Sequence, residues 1–153
     1  MLKTYFGYKL QQFINTYPDS EYLAEANTMA RELTTKQEKK AFEIAKQFVK
    51  LGKYYTLDYN ISAISALDNF ISDHPGSIYR EEAYFLRLQS ATKLAMNSTF
   101  SKKRERLQDA VGAYNAFMRY YSESQYADDA RELYEDIQKE LAFYQQLEET
   151  ISK

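Results

Sequence analysis

The chain has 153 residues, and a domain of that size buries about 70% of the surface its unfolded form exposes, so folding needs no disulfide or metal. Hydrophobic residues make up 44% and charged residues 27%, which excludes disorder, while a formal net charge of −2 argues against nucleic acid as the main partner. There is no cysteine for disulfides or thiolate chemistry, and no apolar run approaches the ~18 residues of a membrane span.

With 4 glycines and 2 prolines the chain has few turn formers for a strand-rich fold, whereas 15 tyrosines and 9 phenylalanines suit the gaps between packed helices. In chain order, a first helix is predicted from the start to about residue 16 and a second over about residues 20–33. Thr35-Lys36-Gln37-Glu38 reads as a capping box that opens a third, running to about Leu51. Residues 52–58 read either as a long turn or as a helical extension followed by a short turn. A fourth helix is predicted over about 59–73 and a fifth over about 77–96. After an Asn97-Ser98-Thr99-Phe100-Ser101 loop, Ser101 is the expected cap of a sixth helix ending near Tyr120. A seventh covers about 124–149, and no strand is predicted.

One segment is used three times. Phe13, Phe70 and Phe117 lie 57 and 47 residues apart, and each is followed at the same spacing by Ser20, Ser77 or Ser124 and by Ala26, Ala83 or Ala130. Pro18 and Pro75 occupy the turn in two copies, with Ser122 in the third. Phe sits one turn before a helix ends. Proline cannot continue that helix and disfavours the α conformation at the residue before it. The serine hydroxyl then accepts an orphan N–H at the next helix start, and the alanine lets the two helices approach. The unit is helix, tight turn, helix, with turns near residues 17–20, 74–77 and 121–124. Upstream, Ala63, Leu67 and Phe70 fall at i, i+4, i+7, as do Ala110, Tyr114 and Phe117, with Phe6, Leu10 and Phe13 in those places in the first copy. This spacing resembles the second helix of a tetratricopeptide (TPR) repeat, although the copies lie further apart than its ~34-residue unit. The expected fold is all-α, a right-handed α-solenoid of antiparallel helix pairs with about seven helices, forming one domain over residues 1–153.

Four stretches carry a closer resemblance. They are Gln12-Phe13-Ile14-Asn15-Thr16-Tyr17-Pro18-Asp19-Ser20, Lys39-Lys40-Ala41-Phe42-Glu43-Ile44-Ala45-Lys46, Tyr79-Arg80-Glu81-Glu82-Ala83-Tyr84, and Leu94-Ala95-Met96-Asn97-Ser98 followed by Lys102-Lys103-Arg104-Glu105-Arg106. In order and spacing they resemble BamD-type proteins, the TPR lipoproteins of the outer-membrane β-barrel assembly machinery, and especially the Bacteroidetes branch. The resemblance implies a non-catalytic scaffold at the periplasmic face of the outer membrane. Implied partners are the periplasmic (POTRA) domains of a BamA-type barrel insertase, other assembly-machinery lipoproteins and unfolded outer-membrane proteins. It also implies that the chain is the C-terminal part of a longer lipoprotein whose lipid anchor lies outside it. Two other readings are another periplasmic TPR adaptor, associated with the cell envelope or division, and the accessory region of an enzyme.

The residues offer no catalytic, cofactor or metal site. His74 is the only histidine and takes the turn position of Tyr17 and Tyr121. There is no paired histidine, Gly-rich phosphate loop or Gly-x-Ser-x-Gly elbow. Carboxylates at Glu81, Glu82, Asp128 and Asp129 fall near helix starts, where the dipole favours them. Lys102, Lys103, Arg104 and Arg106 form the one dense basic run, either a solvated helix face or a contact for an acidic partner or lipid headgroups. Tyr54, Tyr55 and Tyr59 are either inter-repeat packing or an aromatic contact surface. The expected partner-binding residues are these tyrosines with Lys46 and Lys50, together with that basic run.

Overall fold

The computed structural model describes residues 2–151. Among them the chain forms α1 (Leu2–Thr16), α2 (Leu23–Tyr54), α3 (Asp58–Asp73), α4 (Arg80–Met96), α5 (Phe100–Tyr121) and α6 (Ala127–Ile151), with no strand. The fold is the expected TPR-like helical array. It divides into two compact units, Met1–Ala41 and Phe42–Lys153.

Among the described residues there are six helices where about seven were expected, because α2 runs unbroken through residues 33–35. The expected capping box at Thr35 does not form. The Thr34 and Thr35 hydroxyls instead donate to the Ala30 and Arg31 carbonyls, both at 2.9 Å, a bond within the helix that leaves no side chain to stop it. Ser101 is not the cap of α5 either. Thr99 takes the extended cap conformation (φ −63°, ψ 156°) and Ser101 falls inside the first turn. Residues 52–58 resolve as a helical extension to Tyr54 followed by a short turn.

The turns show what proline does. α1 ends at Thr16, before Tyr17-Pro18, and α3 ends at Asp73, where His74 leaves the helical region (φ −127°, ψ 64°) ahead of Pro75. Ser122 replaces proline in the third copy, and there α5 runs on through Tyr121, with Ser122 itself still α-helical in φ and ψ. After each turn the serine hydroxyl accepts the N–H two residues on, from Tyr22 at 3.2 Å, Tyr79 at 3.3 Å and Tyr126 at 3.0 Å.

In the first unit Ala26 is buried and Phe13 half-buried. Helix α1 comes close at Gly7, where a Cβ would lie 3.1 Å from Leu33 Cδ2.

The second unit is built around α4, which packs against α3, α5 and α6. Ala83, Phe85, Leu88, Ala91 and Ala95 are among its buried residues and only Gln89 is exposed, as expected for a helix enclosed by others. Two equivalent aromatic triads set the repeat. Phe42 packs on Phe70 at 5.3 Å and stacks on Tyr79 at 5.1 Å, while Phe85 packs on Phe117 at 5.9 Å and stacks on Tyr126 at 4.6 Å. Each triad joins a phenylalanine of one helix to the Phe before a turn and the Tyr after it. Offset and tilted rings at this spacing each contribute ~0.5–1.5 kcal/mol beyond the area they bury. Ala63 and Ala110, like Ala83 and Ala130, are fully buried, so backbones meet closely at each of these positions.

Candidate protein-binding site

The C-terminal half of α2 carries Lys46, Lys50 and Lys53 at i, i+4, i+7, a spacing that puts all three on one helix face. Opposite lies α4. Between them is a concavity of about 440 Å3, lined by these lysines and by Val49, Tyr54 and Leu86. Glu43 and Gln47 complete its wall. Lys46 pairs with Glu82 at 3.0 Å and sits 5.2 Å over the Phe42 ring. The hydrogen bond to Glu82 holds the Lys46 ammonium above its ordinary pKa, against partial desolvation that works the other way.

The end of this face is fixed by a buried amide. Asn60, 1% exposed, donates from Nδ2 to the Gly52 carbonyl at 3.1 Å. That bond ties the start of α3 to the last turns of α2. Lys93 of α4 donates to the Lys53 carbonyl at 2.5 Å, satisfying an orphan carbonyl at the α2 C-terminus. The short turn and the helix ends on either side of it carry the aromatic surface. Tyr54 is 66% exposed and Tyr55 71%, and Tyr55 meets Tyr59 edge-on at 6.4 Å. All three of these tyrosines are exposed.

The basic run at the start of α5 lies apart from this concavity, and two of its four cations pair with α6. The Lys103 side chain is only 12% exposed, pairs with Glu140 at 2.6 Å and donates to the last carbonyl of α4, at Met96, at 2.6 Å. Arg104 pairs with Glu148 at 3.3 Å, and Arg106 donates to the Ser98 hydroxyl at 2.8 Å. Lys102 is exposed. The Tyr144 hydroxyl anchors the same corner through the Phe100 carbonyl at 2.6 Å.

A second concavity, of about 580 Å3, lies between α3 and α5 over α4, with Ile64, Ile71, Ala91 and Leu94 on its apolar surface. Asp68 and Arg87 pair across its wall, and Arg106 and Asp109 balance each other in sign. The carboxylates at the start of α4 do more than meet the helix dipole. Glu82 holds Lys46, and Glu81 accepts from the Ser124 hydroxyl of the next turn. His74 packs against the Phe70 ring at 5.0 Å. Among the described residues, no cluster of three or more His, Asp or Glu converges as a metal-ligand set, and no helix is long and apolar enough to cross a membrane.

Residues 53–148 match the protein family YfiO, described as outer membrane lipoprotein. The match spans more than half of the chain. The chain belongs to this YfiO family, which is the BamD type. A comparison with curated proteins found no match. The YfiO match begins at Lys53, so Tyr54, Tyr55, Tyr59 and the basic start of α5 lie inside it, and Lys46 and Lys50 lie just ahead of it.

Lys53, Val49 and Leu86 line the concavity although the sequence did not single them out. The i, i+4, i+7 lysine stripe could have revealed Lys53. Nothing in the sequence marks Leu86, which reaches the concavity because the Lys46–Glu82 and Lys93–Lys53 links hold α4 opposite α2.

Proposed function

We propose that this chain is a non-catalytic, protein-binding scaffold of the outer-membrane β-barrel assembly machinery, working at the periplasmic face of the outer membrane. Its partners on this reading are the periplasmic domains of a BamA-type insertase, other lipoproteins of the machinery and unfolded outer-membrane proteins. The single observation that carries the reading is the YfiO match over residues 53–148. The exposed tyrosines and lysines at the α2–α3 corner support it, because aromatic side chains anchor protein interfaces. The chain is then one repeat domain, the C-terminal part of a Bacteroidetes-like lipoprotein. A second reading, another periplasmic adaptor, draws on the thrice-used turn, which any TPR-like protein could carry.

Affinity capture from outer-membrane extract with the tagged chain tests this. The expected catch is a BamA-type barrel protein. Recovery of division or peptidoglycan proteins alone would favour the second reading.

A further inference from the structure

The concavity between α2 and α4 has a sign of its own. Lys46, Lys50 and Lys53 line it together with Glu43, on a chain whose net charge is −2. Lys46 is engaged by Glu82. Among the described residues neither Lys50 nor Lys53 is ion-paired with a carboxylate, and the Lys53 ammonium rests 5.5 Å over the Tyr54 ring. The floor beneath them, Val49 and Leu86, is apolar. We infer that this concavity binds an acidic segment of a partner protein, one that places an aromatic or aliphatic side chain beside its carboxylates. The carboxylates meet Lys50 and Lys53, and the apolar side chain enters between Val49, Leu86 and the Tyr54 ring. A partner with only one of these chemistries would leave half of the lining unmatched. A recess between two helices admits side chains from a polypeptide, whereas a lipid surface meets side chains that project. The Asn60–Gly52 and Lys93–Lys53 bonds hold the corner in place before binding, which lowers the ordering cost.

This inference rests on the reading of the chain as a protein-binding scaffold and names the chemistry that one of its faces takes. The test uses the whole chain and a fluorescent peptide blocked at both ends, Gly-Asp-Asp-Phe-Asp-Asp-Gly, followed by anisotropy. The expected result is saturable binding that weakens about tenfold when asparagine replaces aspartate in the peptide, and as much in K50E/K53E. K50E/K53E is also expected to bind the lysine-for-aspartate peptide better than the parent chain does, with unchanged far-UV circular dichroism. If the reversal disturbs folding, Lys50→Gln with Lys53→Gln replaces it and is expected to show the same loss. Equal binding of the aspartate and asparagine peptides would overturn the inference. So would equal affinity of parent and variant, or binding through these lysines to anionic lipid vesicles but not to the peptide. Capture of the barrel insertase together with failure of the peptide removes this site and leaves the scaffold reading. Peptide binding without capture removes the assembly role and leaves the site.

Discussion

At Gly52 a Cβ would lie 2.7 Å from Asn60 Oδ1, 2.8 Å from its Cγ and 3.1 Å from its backbone nitrogen. Alanine would gain about 0.5–1 kcal/mol of helix preference over glycine inside α2. The clash outweighs that, because its far side is the buried amide and backbone of the α3 start, which cannot swing away. We expect Gly52→Ala to lose about 1–3 kcal/mol in urea unfolding, through overpacking and a displaced Asn60 amide. Adding Asn60→Ala is expected to restore part of that loss, a non-additive pair that independent sites would not show. The residue scale also separates the expected site residues. Lys50, Tyr54 and Tyr55 face outward, while Lys103 serves as a helix-end donor and ion-pair partner.

Among elements, the contrast between α3 and α5 isolates one substitution. Pro75 ends α3 at Asp73, and Ser122 lets α5 reach Tyr121. Pro75→Ser is expected to extend α3 through His74 and to lower stability by about 0.4–1 kcal/mol, chiefly by freeing the unfolded chain. The denaturation midpoint should fall with an unchanged slope. An unchanged midpoint would mean the longer helix offsets the lost rigidity. The thrice-used turn was legible because proline and serine act on backbone within a few residues. The capping box at Thr35 was misread because the same hydroxyl can cap a new helix or bond back four residues within an existing one. Local sequence does not choose between them.

For the whole molecule, the groups with shifted protonation point one way. Burial raises the Tyr84 and Tyr126 hydroxyls above their ordinary value of 10.0, and the Glu82 hydrogen bond raises Lys46 above 10.5. Each folded group holds its proton more tightly than the unfolded one, so its contribution is complete below the unfolded value and is lost as pH rises through the folded one. Thermal midpoints are therefore expected to hold steady up to about pH 9–10 and to fall above it. Tyr126→Phe should flatten that fall, and a midpoint that rises above pH ~10 would contradict the assignment. Lys46 is substantially exposed, so solvent screens its share.

The sequence by itself determined the helical class, the three turns and the membership of the repeat, since each follows from spacing, capping and backbone preference over a few residues. It also named the exposed tyrosines and two of the site's lysines. Tertiary structure alone decided how those residues are used. Phe42 and Phe85 complete the aromatic triads, Leu86 enters the α2–α4 concavity, and Lys103 and Arg104 of the α5 basic run pair with α6. Each of these depends on which helix packs beside which. That choice is made by burying apolar area summed over whole helices, and no short segment records it.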